Sequence, residues 1–520
     1  MTRDGAQYLL PDGVGPEAAS KLVAAHLEVE RERPRSADRT FYDTFDGRLY
    51  AAGLVLTYEG GKPNPSGRLV LADRAGYSRS AADCSTAPTR LFASELSPGP
   101  LRDLLEPVVK ARALTPIARV RGRLHPLHVL DDEAKTVVKL LVEEVSVAGK
   151  GRSRLQLRPR IRVLPVRGYE KAIVRVRHTL EAELNLPDAA VSLQDEAVSA
   201  AGGTPGGISS KLDLVLSSAE RADRATAAAL AGPLATMNAT LPGTLDDVDT
   251  EFLHDLRVAV RRTRSLQRQL KSVFPPEPLA HFRAEFRRLQ QVTGAVRDLD
   301  VHQVELDEFR SGAPKALAAD LEPLQATLAM ERRAEFRRMA RALRSPRTTD
   351  LIAAWSSFLE DLPDAPEADR PDARERIAGV AAGRITTVYR RMVKMGRAID
   401  DDSPPEALHD LRKKGKELRY MLEFFASLFP PEAVKPTLRK LKGLQDVLGR
   451  YQDQEVQADR LRAVREKVGA LDGGAAALMA MGVLVEGLEQ QHAAARREFA
   501  ERFAPFAAKG QRALMGEAFA

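Results

Sequence analysis

From about residue 215 onward the chain repeats itself at a fixed offset of 155 residues, with no gap. HDLR at 254–257 falls on HDLR at 409–412, and FPPE at 274–277 falls on FPPE at 429–432. Gly294 falls on Gly449, Asp298 on Asp453 and Val301 on Val456. Separate matches at one offset are the mark of a duplicated structural unit. Apolar residues in this region recur with helical period, which predicts helices near 219–240, 247–273, 279–310, 315–345, 348–361, 375–399, 405–428, 434–466 and 472–512. Two similar four-helix bundles, packed as one unit and related by a pseudo-two-fold, are expected, since like surfaces then meet.

Residues 1–200 follow another rule. Short alternating or apolar runs bounded by Gly and Pro predict strands at 39–45, 53–60, 68–73, 117–130, 136–147, 153–164 and 172–184, with one helix at 16–27. The Gly- and Ser-rich stretch 199–210 reads as a linker. The expected class is α+β with two domains: a β domain over 1–200, a linker over 201–215 and an all-α domain over 216–515, its halves about 216–346 and 373–513. The single Cys84 excludes an internal disulfide and a cysteine-rich metal site. No run of 18 uncharged apolar residues exists, so no membrane span is expected. The opening MTRDGAQYLLPDG has no basic stretch before an apolar run, so no secretory signal is expected and the cytoplasm is the expected compartment.

Charge is concentrated rather than abundant. The formal net charge is +7, but residues 251–347 hold 19 basic against 13 acidic side chains, and 384–443 hold 14 against 8. His254, Arg257, Arg261, Arg264, Arg268 and Lys271 recur at alternating intervals of three and four, which puts them on one helical face. The second half repeats the pattern as His409, Arg412, Lys416 and Arg419, and adds Arg439, Lys442 and the cations of 390–397. Cations in such a row repel one another by a few tenths of a kcal/mol, on the order of 0.3 per pair. A long anion would offset this with charge-assisted hydrogen bonds, forked where the donor is Arg. The bland alternative is a solvated face with intrahelical Glu–Arg pairs. His254 and His409 could be packing residues or anion contacts; neither has a second ligand at zinc-like spacing. Gly294 and Gly449 suggest close helix approach. Asp298 and Asp453 could orient a facing cation, or, with Asp300 and Glu455, hold a metal.

HDLRVAVRRTRS, FPPE, GAVRDLDVH and HDLRKKGKELRY resemble the CHAD domain over about 215–515. The resemblance implies a helical domain that binds inorganic polyphosphate through a basic surface, in some members at polyphosphate granules. It places that contact on His254, Arg257, Arg261, Arg264, His409, Arg412, Lys416 and Arg419; Arg268, Arg439 and Lys442 join them as basic residues of the same stretches. The second half departs where Arg262 becomes Glu417 and Arg268 becomes Glu423, which implies a weaker contribution.

In the first domain, Arg119, Arg121 and Arg123, then Arg158, Arg160 and Arg162, then Arg175 and Arg177 alternate along expected strands; Arg152 and Arg154 lie upstream. Such faces line a lumen if the sheet closes, or solvent if it stays open. FYDTFDGRLYAAGLVL (41–56) resembles the early strand–turn–strand unit of the CYTH family, which implies an antiparallel β tunnel or barrel-like domain. That family's Glu-x-Glu-x-Lys strand is missing from 5–13, so a degenerate, non-catalytic domain is expected. Glu143, Glu181 and Glu183 are the remaining candidate carboxylates, and His125 and His128 do not clearly join them. No Walker loop, dinucleotide fingerprint or nucleophilic triad is present.

The leading expectation is therefore non-catalytic binding of inorganic polyphosphate, with no cofactor, no metal and no membrane partner. The alternatives are a metal-dependent triphosphatase in the first domain, a nucleic-acid-binding protein, or a granule scaffold. An aromatic share of 5% argues against base stacking.

Overall fold

The structure is a computed structural model and describes residues 6–61, 64–74, 76–148, 154–208 and 214–519. The chain forms two compact units, Met1–Ser209 and Ser210–Ala520.

The first unit is an antiparallel sheet. Its strands are β1 (Gln7–Leu9), β2 (Val29–Arg31), β3 (Arg35–Asp43), β4 (Leu54–Gly61), β5 (Asn64–Asp73), β6 (Ser78–Asp83), β7 (Thr115–Leu130), β8 (Thr136–Ala148), β9 (Arg154–Gln156) and β10 (Arg160–Pro165). The order across it is β1-β10-β8-β7-β3-β4-β5-β6, with β2 on β7 and β9 on β8. Helices α1 (Pro16–Ala24), α2 (Arg48–Ala51), α3 (Pro100–Val109), α4 (Glu170–His178) and α5 (Leu193–Ala200) accompany it. Strand β8 carries apolar residues on both of its faces because each face is covered. Val138, Leu140 and Val142 pack in one core with Val23 of α1 and Val176 of α4. Leu141, Val145 and Val147 pack in another with Leu193 and Ala197 of α5. The sheet curls until Gln7 of β1, Ser78 of β6 and Arg162 of β10 line one cavity of about 230 Å³. Gly76, between β5 and β6, rests against Leu164 and Pro165 of β10. The form is barrel-like.

Three expectations for this unit change. Residues 172–184 are helical, not a strand: α4 runs into a π-helical turn, Thr179–Glu183. The Val–Arg alternation mimics a strand, yet Val176 and Leu180 are the buried pair, four apart, while Val174 is 69% exposed. The run 153–164 splits into β9 and β10 around Pro159, which has no N–H for a ladder. The expected linker is packed over 201–208: Ile208 N donates to Phe45 O at 3.0 Å, and Gly206 lies so close to Gly47 that a Cβ on Gly47 would overlap the Gly206 carbonyl. Residues 209–213 of that linker, and Arg152, lie outside the described residues.

The second unit is helical: α6 (Ala222–Leu245), α7 (Thr250–Gln269), α8 (Pro276–Val292), α9 (Gly294–Gly312), α10 (Lys315–Asp320), α11 (Glu322–Leu343), α12 (Pro346–Asp361), α13 (Ile377–Arg397), α14 (Pro405–Phe424), α15 (Pro431–Gly469), α16 (Gly474–Ala507) and α17 (Lys509–Ala518). Helices α13, α14 and α15 begin 155 residues after α6, α7 and α8, so the sequence offset is also the structural one. One apolar core runs through both halves, from Leu216 to Phe519. Trp355 of α12 is fully buried in it, stacked with Phe274 and Phe358 and edge-on to Phe282 and Phe286.

The halves differ in where their helices break, and one such joint lies beside the basic row. Helices α8 and α9 break at Thr293, whose Oγ1 donates to Leu289 O at 2.8 Å, a bond that bends helices. The equivalent stretch of α15 is continuous. Close helix approach does not explain the two glycines. A Cβ on Gly294 would meet only Arg257 Nη1 at 3.7 Å, and one on Gly449 only Asp453 Oδ2 at 3.9 Å.

Candidate functional site

Helix α7 is capped by Asp249, whose carboxylate accepts from the backbone N–H groups of Glu251 and Phe252. Its buried side, Leu253, Leu256, Val260 and Leu266, fixes the rotation of the helix. The basic row is thereby turned to the flank that meets α14. Helix α14 is held the same way by Leu408, Leu411, Leu418 and Leu422.

Two ion pairs locate the pseudo-two-fold. Arg262 on α7 pairs with Glu423 on α14 at 3.5 Å, and Arg268 on α7 pairs with Glu417 on α14. Position 262 is the equivalent of 417, and 268 of 423. This is an isologous contact, in which residue i meets j and j meets i. The two departures noted in the sequence also have a structural part. They are the acids that let two like surfaces touch. Glu417, only 6% exposed, also accepts from Gln269 Nε2 at 2.8 Å and Lys414 Nζ at 2.6 Å. Glu417→Arg should lower unfolding free energy by about 2 kcal/mol. Adding Arg268→Glu should recover most of it in a double-mutant cycle read by urea unfolding; simple additivity would contradict the axis.

Beside these pairs the row is cationic on both helices. Lys416 is pushed down to about 7, first by burial, then by Arg412, Arg261 and Arg257, with Asp453 opposing. Arg261 and Lys416 are each other's equivalents, so a cation faces its own counterpart across the axis. Arg257 is lowered to about 10, by burial and by Arg261. Its Nη1 donates to Gln290 O and Thr293 Oγ1, both at 2.9 Å, which holds the guanidinium in place. Arg264 is lowered by burial and by Arg268, Arg287 and Arg283, so α8 extends the basic surface. Gln290 Oε1 accepts from Arg264.

The second half is more neutralised. Arg419 donates to Glu423 at 2.6 Å and Arg412 to Asp453 at 2.9 Å. His409 Nδ1 sits on Gln452 Oε1. His254 is partly buried on the first turns of α7. Lys442 holds the position of Arg287 in the repeat and is exposed on α15, as is Arg439. The structure therefore brings together Arg257, Arg261, Arg412 and Lys416, with Arg264 and Arg268 continuing along α7; no described contact ties Arg439 or Lys442 to them.

With this geometry in view, the family model described as CHAD domain matches residues 228–462. That stretch of the helical unit is similar to the CHAD domain. Two uncharacterized proteins from strains of Mycobacterium tuberculosis, MT2285 and Rv2226, are each 28% identical over 223 residues, 41% of this chain and 40% of their own length. The chain thus spans less than half the length of the curated relatives it matches. Among solved structures, the CHAD domain from the plant Ricinus communis is similar at 23% identity and a TM-score of 0.44, over 59% of this chain and 95% of that one. PptA from Streptomyces chartreusis is similar at 16% identity and a TM-score of 0.43, over 55% and 99%.

Two of the aspartates singled out in the helical unit orient cations. Besides Asp453 with Arg412, Asp300 accepts from Arg332 Nε at 2.6 Å. Arg332 also forks onto Asp247 at 2.7 and 2.8 Å. The sequence reading missed Arg332, because its partners lie on the α6–α7 connection and α9, far apart in sequence. Among the described residues no group of three or more His, Cys, Asp or Glu is placed to hold a metal ion.

The sheet unit places its arginines on both faces. Arg119, Arg121 and Arg123 are exposed, and the first two donate to Asp38. Arg158 is exposed beside Asp12. Arg160 is buried on Gln7, Val191 O and Glu196. The lumen holds Arg39 and Arg162 around fully buried Glu143, at 2.9 and 2.6 Å. Burial pushes Glu143 up, but Arg162 and Arg39 more than offset this and hold it below its ordinary value. Glu181 instead takes Tyr8 and Arg177, and Glu183 takes Thr179. His128 faces Glu32; burial lowers His125.

Proposed function

We propose that the CHAD domain binds inorganic polyphosphate without catalysis, along the cationic row that crosses its pseudo-two-fold axis. The observation that carries this is the meeting of Arg261 with its own counterpart Lys416, flanked by Arg257 and Arg412, with Asp453 as the nearby acid. Packing these cations together half-buried costs stability that a bound anion returns. A polymer with one charge per phosphate and no bases suits a row of arginines with few aromatic neighbours. Association with polyphosphate granules and a cytoplasmic location are part of this reading. Among the described residues no helix is long and apolar enough to cross a membrane.

A degenerate CYTH-like role for the sheet unit belongs to the same proposal. Glu143, fully buried behind the lumen arginines, is already claimed by two of them, and Asp73 of the lumen lining pairs with Arg79, which favours a structural role over the alternative of metal-dependent triphosphate hydrolysis.

Competition tests the reading. Long-chain polyphosphate should displace labelled DNA from the full chain at equal phosphate concentration, with affinity falling steeply as salt rises; equal preference would favour the nucleic-acid alternative. The same titration carries a pH signature. Lys416 is half-charged near pH 7, and a polyanion favours its charged form, so binding takes up a proton. Affinity should weaken by up to about tenfold per pH unit above 7, and a Lys416→Arg variant should flatten that slope.

A further inference from the structure

A second basic site lies away from the axis. Helices α13 and α17 enclose a cleft of about 430 Å³, lined by Arg390, Lys394, Arg397 and Arg512 over a floor that includes Val393 and Met515. All four cations are exposed on one side of a fixed wall. Met392, Val393 and Met515 anchor the two helices in the core, and Tyr389 donates to Phe506 O at 2.9 Å to brace the wall from behind. Arg397 Nη2 is steadied by Ala507 O at 3.3 Å. Among the described residues no carboxylate lines the cleft.

The internal repeat supplies a control. At the equivalent positions of the first half stand Ala235, Ala239, Pro242 and Ser357. Helix α6 therefore forms without the three cations that its counterpart α13 carries, so that helix does not require them. Three cations at intervals of four and three on α13, joined by a fourth from another helix, repel one another with no fold-level return. The groove at the axis has cations in both halves; this cleft has them in one.

We infer that the α13–α17 cleft is a separate binding site for a phosphate-bearing ligand of two or more negative charges. Its volume falls in the range of small-molecule sites. Arginine forks from two helices suit adjacent phosphate oxygens, with Lys394 as a compact fourth donor. The apolar floor gives room for the rest of the ligand. The site does not depend on the reading of the axis groove.

The test uses the full chain. Tripolyphosphate and adenosine monophosphate would each be titrated by calorimetry into the parent protein, Arg390→Ala/Lys394→Ala, and an axis variant carrying Arg261→Ala/Lys416→Ala. The axis variant should retain one tripolyphosphate site per chain. Adding the cleft substitutions to it should weaken that site by at least about tenfold. Unchanged affinity and stoichiometry after the cleft substitutions would overturn the assignment. Adenosine monophosphate binding at the same site would identify an organic phosphate as the ligand source; binding of tripolyphosphate alone would identify an inorganic one. Should a variant fail to fold, the parent chain suffices: tripolyphosphate should protect Lys394 from acetylation, read by mass spectrometry, and acetylation at the unliganded rate would overturn the site. Failure of the axis groove would show instead as long-chain polyphosphate binding that Arg261→Ala/Lys416→Ala leaves untouched.

Discussion

Replacing Arg257, Arg261, Arg264, Arg412, Lys416 and Arg419 by Ala should weaken long-chain polyphosphate binding by at least about a thousandfold near physiological salt. Each charge-assisted contact is worth about 1.5–3 kcal/mol, and the losses will not add fully because the residues share one ligand. The salt dependence gives a second readout. Removing six phosphate contacts should flatten the slope of log affinity against log salt by about 4. Folding should survive. These side chains flank the core rather than build it, and three of them depress Lys416 by crowding it. Relief of that crowding opposes the loss of Arg257's bonds to Gln290 and Thr293 and of the Arg412–Asp453 pair. Retained helicity with unchanged binding and slope would sink the axis groove and move attention to the sheet unit.

The second large effect is on stability. Arg332→Ala should lower the unfolding free energy by about 3–5 kcal/mol, read by urea denaturation. Asp300 is 1% exposed, and its Oδ2 is buried with no hydrogen-bond partner, so Arg332 is what compensates its charge. Burial already raises Asp300 above its ordinary value, with Arg332 opposing. Without Arg332 the carboxyl should take up a proton more readily. The penalty should therefore shrink as pH falls through the raised Asp300 value, where the neutral acid no longer needs a cation. Arg332→Lys should recover only part of the loss, since an ammonium cannot fork onto Asp247 while reaching Asp300. A penalty below about 1 kcal/mol would place the triad among ordinary surface pairs.

The two predictions test different levels of legibility. The basic row was readable because it is local: intervals of three and four on one helix fix a face whatever the surroundings. The repeat was readable because duplication leaves a constant offset, and the helix starts preserve it. The β-helix confusion at 172–184 shows where locality fails. Four residues of Val–Arg alternation fit a strand, and only burial of Val176 and Leu180 against β8 and β10 chose the helix. The arginine strands failed differently. Period two assigns a set to one face but not which face is wet, so Arg119 and Arg121 emerged in solvent on Asp38 while Arg162 turned into the lumen on Glu143.

Sequence alone determined the duplication, the helical class of the second unit, the sheet of the first, and the row of cations with its chemistry. Those properties follow from spacing along one chain. Only the tertiary structure decided what the cations face. It made Glu417 and Glu423 the partners of Arg268 and Arg262 across the axis. It set Arg332 against Asp247 and Asp300, and gathered Arg390, Lys394, Arg397 and Arg512 around one cleft. The physical reason is that a charge's energy depends on distance through space and on burial, and neither is encoded in the interval between residues.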